Sequence, residues 1–415
     1  MIDYTESSGD LVEITTKKGV YRGRLLPRHM LSRDDIIIVK LENGYNVGFS
    51  TEDIVSIKTI KKAEEVKSVK REIRRGKGPK ITLFGTGGTI ASYVDYRTGA
   101  VHPAISSEDF LFSVPELADI ADIDAEMLFS VLSEDITPEH WKKMALEAGK
   151  ALNSGSEGVV IAHGTDTMSY SASALSFALR NLNGPVVFVG SQRSSDRPSS
   201  DAVMNLLSAV RLATSDLGEV VIVMHASSSD DYCHVHRGTR ARKMHTSRRD
   251  AFKSINSDPI GKVTPEGYEL KNYRKKSEGD VEIFPEFEEK VALVCAYPGL
   301  SAETLEHIIS ENRGIVIAGT GLGHIKSSMI PVIKEAVKDG KPVVMTSQCL
   351  YGTVNMNVYS TGRSLLAAGI IPGGDMLPET AYVKLSWALA NIDLEEIGEF
   401  MRKNIAGEME ERRFL

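Results

Sequence analysis

Seven short apolar runs, ITLFGT, GVVIA, PVVFVG, EVVIVMH, VALVCA, GIVIAG and PVVMTS, recur between residues 80 and 347 with helical stretches between them. Strands that alternate with helices must lie parallel, and continuous apolar runs mean that both sheet faces are covered, so this part of the chain is α/β. The helices include 137–152, opened by Thr137-Pro138-Glu139, and 199–216, where Ser199, Ser200 or Asp201 can cap the first turn. Pro, Gly and charged residues break the rhythm over 264–289. That break divides the region into two lobes, 80–285 and 290–415.

The first sixty residues follow a different rule. Alternating runs at 11–15, 20–26, 35–41, 45–49 and 54–58 are separated by turn residues such as Lys18-Gly19 and Asn43-Gly44, and an Asn-Gly pair between apolar runs is a hairpin signal. Five short strands in so little chain suggest a small SH3-like or Sm-like β-barrel over 1–60. Residues 61–79 then read as a linker; with Lys80 the stretch carries nine basic residues against three acidic, either a solvated tether or an RNA contact.

Over the whole chain, Lys+Arg 49 against Asp+Glu 56 gives a net charge of −7, which excludes a surface that is one nucleic-acid footprint. Three scattered cysteines, Cys233, Cys295 and Cys349, exclude a disulfide framework and fit a reducing cytoplasm. Neither a signal peptide nor an apolar stretch of about 18 residues occurs. Only two glutamines, Gln192 and Gln348, are present, a bias toward heat-stable composition.

Three constellations carry chemistry. Gly85-Thr86-Gly87-Gly88-Thr89 follows the strand ITLF; it is neither GxGxxG nor GxxxxGK[ST], and reads either as a tight turn or as hydroxyls held among amide donors suited to an oxyanion. His163-Gly164-Thr165-Asp166-Thr167 follows a second strand, where Thr165 with its adjacent carboxylate suits substrate anchoring or a hydroxyl nucleophile, or Thr165-Asp166 is merely a helix cap. Over 237–253 seven basic residues face one acidic, which reads as a surface loop or as a field that lowers the pKa of Lys243 and lets it take a proton from a threonine hydroxyl. Cys233, His234 and His236 invite a zinc reading, but crowd into one strand with no CxxC or HExxH scaffold, and no metal site is assigned.

FGTGGTIAS at 84–92, HGTDTMSYSA at 163–172, SQRSSDRPSSDAVMNL at 191–206 and RKMHTSRRDAFKS around Lys243 together resemble the L-asparaginase/glutaminase family, over about residues 80–400. The resemblance implies a two-lobed, parallel-sheet amidohydrolase. It places the nucleophilic threonine at Thr86, the second threonine and the acid that binds the substrate's α-amino group at Thr165 and Asp166, and the activating lysine at Lys243. Ser133 and Glu134 of VLSEDIT then grip the substrate's amino-acid end, beside Gly85, Gly87 and Gly88. The mobile-loop tyrosine falls on Tyr96, with Tyr93 as the alternative. Which threonine attacks, and whether glutamine or asparagine is preferred, stays open.

Plain asparaginases lack a barrel. With the extension, the chain resembles the asparaginase-like subunits of archaeal tRNA-dependent amidotransferases. That likeness implies a glutaminase that passes ammonia to a kinase/transferase partner subunit for amidation of Glu-tRNA(Gln), ATP and Mg²⁺ at the partner and no cofactor in this chain, and a homodimer within an α2β2 assembly. The alternative is a free cytoplasmic L-asparaginase.

Overall fold

The computed structural model describes residues 9–26, 35–41, 45–62, 76, 78–87, 93–94, 101–102, 114–194 and 199–410. The N-terminal sheet contains β1 (Leu11–Thr16), β2 (Gly19–Leu25), β3 (Ile36–Leu41), β4 (Asn46–Ser50) and β5 (Ile54–Lys61), in the order β4-β3-β2-β1-β5. All its pairings are antiparallel. β4 and β5 lie at opposite edges of that order, yet only Thr51, Glu52 and Asp53 join them. Four strand spacings in a flat sheet amount to about 19 Å, and the chain from Ser50 to Ile54 reaches only about 14 Å. The sheet must therefore curl on itself around Val12, Ile14, Leu25, Ile37, Val39 and Phe49. The predicted β3–β4 hairpin is present, pairing Lys40 with Asn46. Its Asn43-Gly44 turn, and residues 63–75 and 77 of the linker, lie outside the described residues.

The large sheet begins with β6 (Lys80–Gly85) and β7 (Asp122–Met127), followed by β8 (Gly158–Ala162), β9 (Val186–Val189), β10 (Val220–His225) and β11 (Cys233–Arg237). A separate hairpin, β12 (Ala241–Lys243) and β13 (Phe252–Ser254), precedes the last two strands, β14 (Gly261–Thr264) and β15 (Gly267–Leu270). The order is β15-β14-β11-β10-β9-β8-β6-β7. Strands β10, β9, β8, β6 and β7 are parallel, as the strand–helix rhythm requires; β11, β14 and β15 extend them antiparallel. β14, β15 and β7 (DIDAEM) fall outside the seven apolar runs, because they lie at or next to the sheet's edges where one face meets solvent, and β11 (CHVHR), inside the sheet, falls outside them because most of its residues are polar.

Period-two alternation sends Val159, Ile161, Val186 and Phe188 to one face and Val160, Ala162, Val187 and Val189 to the other. The first face is covered by α1 (Pro138–Asn153) and α2 (Met168–Ala178), the second by α3 (Ala202–Ala213). α1 starts where Thr137-Pro138 predicts, with the Thr137 N–H donating to His140 Nδ1 at 3.1 Å.

The C-terminal lobe is a four-stranded parallel sheet, β16 (Val291–Cys295), β17 (Gly314–Gly319), β18 (Val343–Ser347) and β19 (Ile371–Pro372). Around it lie α4 (Ala302–Glu311), α5 (Ile330–Lys338), α6 (Ser360–Ala367), α7 (Pro378–Asn391) and α8 (Ile397–Arg402). α7 serves both lobes: Leu385 and Ala388 face its own sheet, while Val383 and Trp387 join the core under α1 and α2. Among the described residues no helix is long and apolar enough to cross a membrane.

Candidate active site

β6 and β8 are neighbours, but the chain leaves β6 toward β7 on one side and leaves β8 toward β9 on the other. Loops that diverge from the carboxyl ends of adjacent parallel strands open a crevice, the usual ligand position in such sheets. Two of the three candidate motifs sit there.

Thr86 follows β6 and is buried. Its backbone N–H and its hydroxyl both donate to the Ala162 carbonyl at the end of β8, at 3.0 and 2.9 Å. The Thr86 N–H is therefore already used and is no oxyanion donor. Gly87 has φ +107°, and a Cβ there would lie 2.2 Å from the Val131 carbonyl oxygen, so the turn requires glycine. Gly85 ends β6; Gly88 and Tyr96 lie outside the described residues.

The 163–167 loop is held from beneath. The Trp141 indole N–H donates to Ser171 Oγ (3.1 Å), which in turn lies 2.9 Å from His163 Nε2, while His163 Nδ1 is 2.7 Å from the Gly164 carbonyl. A carbonyl only accepts, so the proton of neutral His163 sits on Nδ1 and Nε2 accepts from Ser171. Burial pushes the His163 pKa down to about 4. Thr165 and Asp166 are not helix caps: α2 begins at Met168, and its N-cap Thr167 donates to the Ser133 carbonyl at 2.6 Å. Thr165 is buried, whereas the Asp166 side chain is 66% exposed and opens to the crevice.

Lys243, at the end of β12, closes this group. Its Nζ donates to Thr165 Oγ1 at 2.8 Å and to Asp166 Oδ1 at 2.9 Å. Ser133 is buried and its hydroxyl makes a long 3.4 Å bond to Asp166 Oδ2; Glu134 is exposed beside it on the same short turn. The structure thus brings Thr165, Asp166, Lys243 and Ser133 into direct contact, with Thr86 anchored on the adjoining strand end.

The basic run around Lys243 is not the unpaired field its composition suggests. Arg237 pairs with Glu219, Arg240 with Asp375, Arg242 with Glu379, Arg248 and Lys253 with Asp250, and Arg249 with Asp230. Arg240 is among the largest fully buried side chains. The unbalanced-cation reading does not hold, because Asp250 within the run and carboxylates outside it pair with these cations; the surface-loop reading holds only for 244–248, which are exposed. Nor do Cys233, His234 and His236 converge: alternation on β11 puts Cys233 and His234 on opposite faces, and burial raises the Cys233 thiol pKa to about 12.

Asp201 is the N-cap residue of α3, as the sequence allows, but its side chain makes no capping bond and ties down the SQR segment. Its carboxylate accepts from the N–H groups of Gln192 and Arg193 at 2.9–3.1 Å and from Asn205 Nδ2 at 3.0 Å.

Comparison with known proteins agrees with this fold. Family models match at 80–277 (Asparaginase, N-terminal), 290–401 (Glutaminase/Asparaginase C-terminal domain) and 7–60 (GatD N-terminal domain). The GatD chain of the glutamyl-tRNA(Gln) amidotransferase of Thermococcus kodakarensis is 55% identical over 413 residues, which span 97% of this chain and 94% of the relative. The chain belongs to the GatD family of glutamyl-tRNA(Gln) amidotransferase subunits. The member from Methanothermobacter thermautotrophicus is 49% identical over 411 residues with the same coverage. Among solved structures, the thermostable L-asparaginase from Thermococcus kodakarensis matches with a TM-score of 0.73 at 36% identity, and L-asparaginase I from Vibrio cholerae with 0.71 at 31%. Both asparaginases are covered completely, by only 80% of this chain. GatD relatives, by contrast, align through the barrel as well.

Proposed function

We propose that the chain is the glutaminase subunit of a tRNA-dependent amidotransferase, releasing ammonia from glutamine for conversion of Glu-tRNA(Gln) to Gln-tRNA(Gln). The full-length likeness to GatD proteins, barrel included, carries this reading. The crevice supplies the chemistry.

Amide hydrolysis needs a nucleophile, a proton relay and a grip on the substrate. In our reading the Thr86 hydroxyl attacks the side-chain amide carbon of glutamine, and its proton passes through the Thr165–Lys243 pair to the departing nitrogen, which leaves as ammonia. Water then cleaves the acyl-threonine to give glutamate. Asp166, open to the crevice and tied to Lys243, binds the α-ammonium, with Ser133 and Glu134 beside it; Gly85 and Gly87 shape the turn after β6. ATP and Mg²⁺ belong to a kinase/transferase partner subunit, which receives the ammonia, within an α2β2 assembly in the cytoplasm. A free L-asparaginase is the second reading, favoured by the complete overlap with two asparaginase structures.

Thr86→Ala, Thr165→Ala and Lys243→Ala are each expected to lower glutamine-dependent amidation at least about 100-fold while ammonia-dependent amidation persists. Unchanged glutamine-dependent rates would remove these residues from the mechanism. Mass spectrometry of the trapped acyl ester identifies the attacking threonine: an ester on Thr165 would reverse the two roles. Full-rate asparagine hydrolysis by the isolated chain, with no tRNA-linked amidation, would favour the second reading.

A further inference from the structure

The Lys243 hairpin lies on the seam between the lobes, and the alternation of its strand assigns each residue a side. Ala241 points into the core beneath α2, and Lys243 reaches Thr165 and Asp166. Arg240 and Arg242 point the other way, into the C-terminal lobe. Arg240 Nη1 meets Asp375 Oδ2 at 2.9 Å with both side chains almost fully buried, and its Nε donates to the Gly407 carbonyl at 2.9 Å. Arg242 Nη1 meets Glu379 Oε2 at 3.2 Å. One residue before Arg240, Thr239 donates to the Ala406 carbonyl at 3.0 Å and accepts at its own carbonyl from Thr380 Oγ1 at 2.9 Å. Asn256, two residues beyond β13, donates to the Asp375 carbonyl at 2.9 Å.

Both ends of the hairpin are thus tied to the segment 375–380 of the other lobe, which also holds the segment 406–410 through the bond from the Glu410 N–H to Asp375 Oδ1 at 3.1 Å. β12 and β13 form a sheet of two strands only, so no large ladder fixes their register. A flexible lysine on such a strand keeps a 2.8 Å contact only if its backbone is held. A misplacement of about 1 Å in a reacting group can cost about 100-fold in rate.

We propose that Asp375, acting through Arg240, and Glu379, acting through Arg242, are positioning residues for the active site: the C-terminal lobe sets the height of Lys243 against Thr165. Each carboxylate acts through its arginine, on the side of the strand away from Lys243. The proposal rests on the reading of Lys243 as a member of the proton relay, and the experiment separates the two.

Full-length chain in the assembled amidotransferase is compared as wild type, Glu379→Gln, Lys243→Ala and the double variant Arg240→Met/Asp375→Leu. The double variant replaces a buried ion pair by apolar groups of similar volume, an exchange that often preserves stability. Expected are a kcat for glutamine hydrolysis reduced at least about tenfold in the double variant and about threefold in Glu379→Gln, KM for glutamine within about twofold of wild type, and ammonia-dependent amidation unchanged. Arg242→Lys, which keeps the charge, should restore more of the rate than Arg242→Gln. Wild-type kcat in the folded double variant and in Glu379→Gln would overturn the proposal, as would a rise in KM alone or an equal loss of ammonia-dependent amidation. If the double variant does not fold, Glu379→Gln and the Arg242 pair decide. A Lys243→Ala chain with wild-type kcat would instead overturn the underlying reading of the relay.

Discussion

Two buried histidines tie this protein's stability to pH. His163 sits between Ser171 and the Gly164 carbonyl with its pKa lowered to about 4, and His236, under the hairpin with Nδ1 2.8 Å from Ser254 Oγ, is lowered to about 3; burial is the main cause in both. Unfolded histidine titrates near 6.5, so between about pH 4 and 6.5 the unfolded chain binds more protons than the folded one. Their contribution is therefore complete above about pH 6.5 and is lost as the pH falls. From pH 7 to pH 5 the loss is about 2 kcal/mol for each, at about 1.4 kcal/mol per pH unit below 6.5. Urea denaturation at these two pH values measures it, and a His163→Asn/His236→Asn chain should show a much flatter dependence; an unchanged slope would assign the effect to other groups. At this scale the sequence motifs led to side chains that the fold gathers at one crevice, Thr165, Asp166, Lys243 and Ser133, because a motif packs several chemical groups into a few positions. It did not reveal that Thr86 would rest on Ala162 or that Asp201 would hold the N–H groups of Gln192 and Arg193, since those partners are separated in sequence.

Elements deliver those residues by two simple periodicities. β6 and β8 end in register, Gly85 against Ala162, so the loops that follow them open on the same crevice. β12 sorts ARK and the arginine before it between two lobes. The turn after β6 depends on one glycine. Gly87→Ala would force a side chain into a left-handed backbone and within 2.2 Å of the Val131 carbonyl oxygen, where neither the turn nor the main chain it meets can move cheaply. We expect a loss of about 2 kcal/mol or more in denaturation and a marked fall in glutamine hydrolysis. A stable and fully active Gly87→Ala chain would show that the turn is not held in this conformation. Strands with two apolar faces and helices with a Thr-Pro start were legible in sequence. The edge strands β7 and β15, and β14 beside β15, were not, because half-solvated strands carry weaker patterns and depend on a neighbour to pair with.

At the scale of the molecule, five hydrophobic clusters among the described residues divide the labour. The barrel's cluster shares no residue with the other four, while Val383 and Trp387 of α7 belong to the core under α1 and α2. Deleting residues 1–75 should thus spare the asparaginase-like cores and their basal glutamine hydrolysis, and reduce tRNA-linked amidation or partner binding more strongly. Pull-down of the partner and the two activities, measured side by side, check this; loss of basal hydrolysis with normal partner binding would contradict it. The lobes, by contrast, share a core through α7 and are bonded to each other through the hairpin and the segment 375–380.

The strand–helix rhythm, the separate all-β start and the motifs around Thr86, Thr165 and Lys243 were determined by the sequence itself. Each depends on neighbours a few residues apart, and backbone geometry turns such spacing directly into a face, a turn or a strand end. Tertiary structure decided what the charges mean. The seven cations of 237–253 read as an excess along the chain, and in the fold every one meets a carboxylate, most of them from well outside that run. Charge pairing depends on distance in space and on burial rather than on separation in sequence. Only folding could show that a basic run is a neutralised seam between two lobes, with one lysine left facing the crevice.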